Sequence, residues 1–442
     1  MAAKLPPGPR APGPVNVFRF QRRTTALLDS ARERYGDLWT LKLAGGATFV
    51  MVSDPKLIED LLTVDPEVIY SEAKLAIPLV GEESLLVSQG SEHTAKRKMM
   101  EPLVHGERIK RSGELAARIC ERELAGWPLN EPIRLLPRLQ VVTLKVITNA
   151  VFGESDEERQ DEIRTAVSPL LEFGTSARKM TMHQLRFMTG RQPSRYFRGL
   201  RERVDALIYD EIERARQDPG LEERDDIFGM LLRSRYEDGS ALSDRDIRAQ
   251  VVTLLMQGHT STASGIAWTL ERVMRHPEVH ERLRAEVQTD SGDYLDAVAK
   301  ETLRLRPPNP FVMRIVEKPF QLGEYELDPG IMIAGNTWML HRRADLYPDP
   351  DRFDPDRFLG KPPGKYAWIP FGGGTVRSCI GAGFALSEMK SVLRTLLRLA
   401  RFEAVDQSDE AITRAGIGFA PARGAQAKLL ERVPAAGAAA AA

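Results

Sequence analysis

Between Pro55 and about residue 305, apolar residues recur mostly at helical spacing, the pattern of helices buried on one face. Segments such as "GELAARICERELAGW" and "PRLQVVTLKVITNAVFG" carry it plainly. Ahead of them, "RRTTALLDSARERYG" reads as an amphipathic helix ending at Gly36. "LWTLKLAGGATFVMVSDP" reads as two β-rich runs around Gly45-Gly46, a hairpin signal. The longest predicted helix runs from about Asp244 to Arg275. Ser243 and Asp246 resemble a capping box with Asp in place of the usual Glu or Gln, and His276-Pro277 supplies the stop. Its centre, "LLMQGHTSTASG", is unusual for a helix interior. Gly258 costs about 1 kcal/mol relative to Ala, and clustered hydroxyls bond back to carbonyls and bend a helix. Either something approaches the backbone there or two helices pack closely, and the segment alone leaves the two readings level.

Beyond residue 305, Pro-Pro and short β-like runs appear: "FVMRIV", "PFQLGEYEL" and "GIMIAGN". A polar meander follows, "HRRADLYPDPDRFDPDRFLG", then "PFGGGTVRSCIGAGFA" and a last helix over about Ile380 to Leu399. There is no internal repeat and no linker long enough to divide the chain. The expected architecture is one large domain, mainly α with small β-sheets, over 21–432. A stiff proline-rich lead-in precedes it over 1–20, and a low-complexity tail follows over 433–442.

Composition narrows the function classes. Lys+Arg and Asp+Glu both total 62 in 442 residues, so the net charge is zero, which argues against bulk nucleic-acid affinity. Two cysteines cannot build a disulfide framework and fit a reducing, cytoplasmic setting. No run of eighteen apolar residues exists, so no membrane span is expected, and the N-terminus lacks the apolar core of a signal peptide. Cys120 reads as a buried helix residue. Cys379 is different, because it stands in the most glycine-rich stretch, where a loop becomes a helix and Arg377 lies two residues earlier. A helix N-terminus and a nearby cation stabilise a thiolate, and glycines let a backbone approach a flat or bulky partner. A buried cysteine in a tight turn is the plain alternative. A nucleophile would want a histidine in a recognisable signature, a zinc site more Cys/His ligands nearby, and a phosphate loop Gly-Lys-Ser/Thr. An axial thiolate to heme iron needs only one cysteine in a glycine-lined loop.

"FGGGTVRSCIGAGFA" resembles the heme-binding loop of the cytochrome P-450 superfamily, with Phe371, the glycines, Arg377, Cys379 and Gly381 in the family's order. Four further segments resemble the family in sequence order. "KETLRL" supplies a Glu-x-x-Arg pair, Glu301 and Arg304, and "FDPDRF" supplies the meander arginine, Arg357. "GHTSTAS" resembles the oxygen-activation segment, and "GSEHTAKRKMMEPL" the helix whose basic residues hold a heme propionate. Glu-x-x-Arg alone is weak, since it recurs at Glu211/Arg214, Glu213/Arg216 and Glu281/Arg284; Glu301 differs by preceding Pro307-Pro308 and the meander. The resemblance runs from about Leu5 to Glu431.

The resemblance implies the family's fold, with heme b (iron protoporphyrin IX) between the long central helix and the cysteine loop. It implies that Cys379 ligates the iron, that His93, Arg97, Arg314 and Arg377 hold the propionates, and that Glu301, Arg304 and Arg357 form a buried structural charge triad. The reaction implied is monooxygenation of a hydrophobic small molecule. O2 is the co-substrate, and electrons come from NAD(P)H through a ferredoxin and ferredoxin reductase. Lys96 and Lys98 are candidates for docking an acidic ferredoxin, and a monomer is expected. Two departures matter. Phe371 to Cys379 is one residue longer than the family's usual spacing, the extra residue falling within Gly374–Val376. In the helix segment Gln257 replaces an alanine, Thr260 the acid and Ser261 the threonine, so Ser261 and Thr260 are the catalytic candidates and no carboxylate adjoins them. The missing acid motivates an alternative, peroxide-driven or oxidative-coupling chemistry; a non-catalytic heme- or ligand-binding protein is a third reading. By analogy the pocket is lined by the loop around Lys74 to Ser88, residues near Leu171 to Met188, Met256, Gln257, Phe311, Val312, and Gly416 to Phe419.

Overall fold

The computed structural model describes residues 5–433 except 72, 155, 177, 178, 180, 181, 183–185, 187–190, 361, 375 and 417. The predicted tail from 434 onward lies outside the described residues. The chain forms two compact units. The first comprises Met1–Ala73, Gln89–Thr94 and Lys300–Cys379; the second comprises Lys74–Ser88, Ala95–Ala299 and Ile380–Ala442.

The first unit is built on a five-stranded sheet in the order β1-β2-β8-β5-β3. Strands β1 (Leu38–Lys42) and β2 (Thr48–Val52) are the expected hairpin, turning through Gly45 and Gly46 at positive φ. β8 (Met332–Asn336) pairs parallel to β2, and β5 (Phe311–Val316) runs antiparallel to both β8 and β3 (Ile69–Ser71). Helix Pro55–Thr63 covers the sheet. Asp54 caps it by accepting from the Lys56 and Leu57 N–H groups, Pro55 starts it, and Ile58, Leu61 and Leu62 fall on its buried face. These three pack with Val50, Val52, Ile333, Leu340 and Ile369 in the core. β6 (Phe320–Leu322) and β7 (Tyr325–Leu327) form a separate hairpin. The proline-rich start is more structured than a lead-in: Gly13–Arg22 is helical, and buried Asn16 donates to the Ala11 and Lys42 carbonyls.

The second unit is mostly helical. Helix Glu107–Ala125 lies along helix Ala382–Leu399, and small residues set the approach: a Cβ on Gly113 would stand 2.7 Å from Ser387 Oγ. Cys120 is buried on the former helix, as expected, and burial pushes its thiol pKa up. Leu135–Phe152 is, among the described residues, the one helix long and apolar enough to cross a membrane. It is 56% buried, and it packs on Glu107–Ala125 and Thr260–Arg275 as a core helix does. β4 (Pro132–Arg134), β12 (Gln426–Arg432) and β9 (Ala400–Ala404) form a small sheet, and β10 (Ile412–Ala415) pairs with β11 (Gly418–Pro421).

The long predicted helix is two helices, Asp244–Gln257 and Thr260–Arg275. The Ser243/Asp246 capping box is present. The interruption at Gly258-His259 has a packing cause. A Cβ on Gly258 would stand 2.9 Å from Ile147 Cγ1, and Thr143 Oγ1 donates to the His259 carbonyl (3.2 Å). Helix Leu135–Phe152 therefore approaches the backbone here, the helix-packing reading of the two.

Candidate active site

The cysteine loop closes on itself within the first unit. Gly372 N–H donates to Ile369 O (3.1 Å) and Cys379 N–H to Phe371 O (2.8 Å). Phe371 stands edge-on to Trp368, and Trp368 Nε1 donates to the Lys300 carbonyl (3.3 Å). A Cβ on Gly373 would lie 2.5 Å from Leu62 Cδ1, and one on Gly374 would lie 2.3 Å from Leu62 O. The expectation that the glycines make room for a flat partner is corrected at these two positions: they make room for helix Pro55–Thr63. Cys379 is exposed and in no disulfide. Thr375, within the extra-residue segment, lies outside the described residues.

Three of the four expected propionate partners fall in this unit. Arg377 donates through Nη2 to Gln89 Oε1 (2.7 Å). Gln89 is itself clamped to Ser71, accepting its N–H (3.2 Å) and donating to its carbonyl (3.0 Å). Ser71 is the last residue of β3 and pairs in register with Arg314 of β5. His93, one turn into helix Gly90–Met100, is buried, and its N–H donates to the Gln89 carbonyl. Arg314 is 7% exposed, and burial lowers its pKa to about 10. Its Nη1 donates to Met313 O (2.9 Å), and among the described residues no carboxylate pairs with it. A buried guanidinium without a counter-ion is costly, and an entering carboxylate relieves it. The residues present therefore fit the carboxylates of a heme. Gln89 was not legible in the sequence, because it belongs to no motif and its partners are distant. The fourth residue, Arg97, lies 3.5 Å from Glu101, just past the end of its helix.

Glu301 and Arg304 are fully buried. Arg304 Nε and Nη2 donate to the two Glu301 oxygens (2.6 and 2.8 Å). Its remaining donors reach the carbonyls of His341 (2.8 Å), Pro350 (2.7 Å) and Arg352 (3.1 Å), so all five guanidinium N–H groups are used. Glu301 also accepts the Asp354 N–H (2.9 Å). Arg357 Nε is 3.5 Å from Glu301 Oε1 but is not aligned to donate to it; its Nη2 donates to Asp349 O instead. Arg357 thus contributes charge more than a hydrogen bond.

In the second unit, Met256 and Gln257 end one helix and Thr260 and Ser261 begin the next; Gln257 is exposed, the other three partly buried. His259 between them is buried, its Nδ1 3.1 Å from Leu255 O and its Nε2 3.1 Å from Thr260 Oγ1. Burial lowers its pKa to about 4, so the ring is neutral. The loop Lys74–Ser88 is fastened to helix Asp244–Gln257: Leu85 N–H donates to Gln250 Oε1, Gln250 Nε2 to Glu83 O, and Arg248 Nη1 to Val80 O. Lys96 joins that fastening. It is 3% exposed and donates to Glu83 O (2.6 Å), so its docking role is corrected. Lys98 is exposed and paired with Glu237. In the first unit, Phe311 stacks near Phe20 (5.7 Å) and Val312 packs on the sheet core. Of the remaining pocket positions, 177, 178, 180, 181, 183–185, 187, 188 and 417 lie outside the described residues.

The family model described as Cytochrome P450 matches residues 6–425. The chain is 37% identical over 433 residues to "Putative cytochrome P450 135B1" of Mycobacterium tuberculosis, covering 96% of this chain and 91% of the relative. It is 34% identical to "Putative cytochrome P450 138" of the same species, covering 97% of each. Among solved structures, retinoic acid-bound cyanobacterial CYP120A1 shares the fold at a TM-score of 0.82 and 21% identity, over 98% of this chain and all of that one. The heme domain of cytochrome P450DA does so at 0.82 and 22%, over 97% and 98%. With a family match over nearly its whole length, this chain belongs to the cytochrome P450 family, the heme-containing oxidoreductases that act as monooxygenases.

Proposed function

We propose that this enzyme activates dioxygen at a heme ligated by Cys379 and inserts one oxygen atom into a hydrophobic small molecule. Electrons pass from NAD(P)H through a ferredoxin reductase and a ferredoxin, in the cytoplasm, to a monomeric enzyme. The observation that carries this reading is the cation set of the first unit. Arg314 is buried with no carboxylate paired to it among the described residues, and Arg377 is held by Gln89 two residues before Cys379. When bound, heme supplies the iron redox chemistry, and the protein supplies ligand, orientation and electrostatics. Cys379 is the thiolate ligand. Arg314, Arg377 and His93, with Arg97, hold the propionates, and Gln89 fixes where the Arg377 guanidinium points. Ser261 holds a proton at its Oγ for delivery toward the oxygen side, and Thr260 is oriented by His259. Met256, Gln257, Phe311 and Val312 line the substrate space. The triad of Glu301, Arg304 and Arg357 holds the meander in place.

The test is the difference spectrum of the reduced protein with carbon monoxide. A strongly red-shifted Soret band in the parent, lost in Cys379→Ser, is expected. A heme-loaded parent without that band overturns the reading.

A second reading, peroxide-driven oxidation or oxidative coupling, is favoured by one observation: Thr260 stands where an acid is usual, and its ring neighbour His259 is neutral. Turnover with a ferredoxin system against turnover with hydrogen peroxide separates the two. Ser261→Ala should uncouple the former and leave the latter intact; unchanged coupling removes Ser261 from proton delivery.

A further inference from the structure

His341 is a buried polar residue that the reading above does not use, and both of its ring nitrogens are engaged. It follows the short helix Thr337–Leu340 and is 0% exposed. The Ile369 N–H points at Nε2 (3.0 Å), and Nδ1 lies 3.2 Å from the Arg304 carbonyl. A backbone N–H only donates and a carbonyl only accepts. Nε2 is therefore bare and Nδ1 carries the hydrogen, which fixes the tautomer without recourse to titration. Burial, and then the charge of Arg304, lower the ring's pKa to about 3, so the neutral form is the resident one.

The two sides of the ring meet different partners. On the Nδ1 side stands Arg304, all five of whose guanidinium hydrogens are in hydrogen bonds, one of them to His341's own carbonyl. On the Nε2 side stands the glycine-rich cysteine loop, which Ile369 leads into. From Ile369 the bonding continues: its carbonyl accepts Gly372 N–H, and next to Gly372 the Phe371 carbonyl accepts Cys379 N–H. A line thus runs from Arg304 through the imidazole to the amide of Cys379, with no step longer than 3.2 Å. Tyr347 supports the same region by another route, donating to Ala367 O (2.9 Å) with its ring edge-on to His341.

We propose that His341 is a positioning residue for the Cys379 thiolate, transmitting the fixed position of the Arg304 carbonyl to the cysteine loop through its Nδ1–H tautomer. This rests on the reading of Cys379 as the iron ligand. Losing the ring leaves the Ile369 N–H without an acceptor in the interior, so the loop turns to find one and the sulfur moves with it.

Three variants test it. His341→Phe keeps the ring's bulk and removes both bonds. His341→Gln restores one acceptor and one donor. Tyr347→Phe removes the parallel support and leaves the line intact. In the reduced carbon monoxide complex, H341F should convert from the thiolate-type to the thiol-type Soret band at least ten-fold faster than the parent, with a raised midpoint potential. H341Q should restore both and Y347F should move neither. An H341F that matches the parent, or a Y347F that shifts as far, overturns the proposal. A heme-loaded parent lacking the thiolate band overturns the ligand assignment instead, so the two failures are distinguishable. If H341F does not accumulate folded, H341Q decides with amide exchange at Ile369. Band and protection staying with the parent, or departing together, support the proposal, and either departing alone overturns it.

Discussion

Glu301 in the first unit and Glu271 in the second are each buried among arginines, at 0% and 1% exposure. Arg304 forks onto Glu301 and spends its other donors on three carbonyls of the meander. Arg272 forks onto Glu271 (2.6 and 2.9 Å), and Arg275 adds a second guanidinium one turn on. That cluster ties the end of helix Thr260–Arg275 to residues 406–410. Glu410 N–H reaches Glu271 Oε1 (3.3 Å), Arg272 reaches Asp409 (3.0 Å), and Arg275 reaches Asp406 O (3.1 Å). The difference lies in what surrounds them. Asp409 is 73% exposed and Asp406 41%, so the Glu271 cluster opens on water, whereas the Glu301–Arg304 pair has no exposed member. The same residue types make a dry anchor in one place and a wet clasp in the other.

The largest effect should come from breaking the dry anchor. Removing one partner of a buried ion pair costs about 3–5 kcal/mol, because it leaves a buried charge alone. Glu301→Ala or Arg304→Ala should therefore yield protein without heme, read from the Soret-to-protein absorbance ratio; normal loading in either purified variant would sink the assignment. Arg304→Lys should fail nearly as badly, since an ammonium offers three donors where five are in use.

Breaking the wet clasp should cost less. In Glu271→Ala, Arg272 and Arg275 keep Asp409, the Asp406 carbonyl and solvent as partners. The expected loss is about 1–3 kcal/mol with heme loading retained, measured by urea unfolding. A loss equal to that of Glu301→Ala would show that exposure of the outer members does not matter.

The pH dependences should have opposite signs. Burial pushes the Glu301 carboxyl above its ordinary 4.5, against the pull of Arg304. Burial pushes Glu271 the same way, but Arg272 and Arg275 outweigh it and hold its pKa below 4.5. A group lowered in the fold contributes stability fully above its unfolded pKa and loses it as pH falls through the folded one. A raised group contributes most below its unfolded pKa and loses that as pH rises through the folded one. Glutamine titrates in neither state. Calorimetry from pH 4 to 7 should therefore show the parent's advantage over Glu271→Gln shrinking on the acid side. Its advantage over Glu301→Gln should shrink as pH rises above 4.5. Slopes of the same sign would contradict the comparison.

Only one of the two clusters could be read beforehand. Among the four Glu-x-x-Arg pairs, Glu301 stands out by its position before Pro307-Pro308, and two of the others behave as surface pairs do. Glu211 and Arg214 stand 3.8 Å apart with Arg214 55% exposed, and Arg216 pairs with Asp244 instead of Glu213. The β1–β2 hairpin and the Ser243/Asp246 box were legible for the same reason: each is a local pattern with a local cause. Gln89 and His341 were not, because their partners lie far along the chain, as Arg377 lies 288 residues from Gln89. Glu271 has its arginines one and four residues on, but Glu410, which completes its cluster, lies 139 residues away. The split at Gly258 was half legible. The glycine announced a weak point, but only Ile147 and Thr143, on another helix, say what presses there.

A third buried carboxyl sets the lower end of the scale. Glu388, on helix Ala382–Leu399, is 0% exposed, and neither of its oxygens has a hydrogen-bond partner among the described residues. Burial alone pushes its pKa well above the ordinary 4.5. With no guanidinium bonded to it among the described residues, burial favours the neutral carboxyl in the fold, where Glu301 and Glu271 are gripped by arginine. Glu388→Gln swaps one neutral polar group for another of the same shape, so it should change stability by about 1 kcal/mol or less near neutral pH. The sign appears as pH rises above the ordinary 4.5. As pH rises toward the raised folded pKa the parent loses stability while the Gln variant does not, so their melting temperatures should diverge in favour of Glu388→Gln. A Glu388→Gln loss as large as that of Glu271→Ala, flat with pH, would mean that Glu388 is held charged, and that burial without an arginine does not by itself decide the state of a carboxyl in this protein.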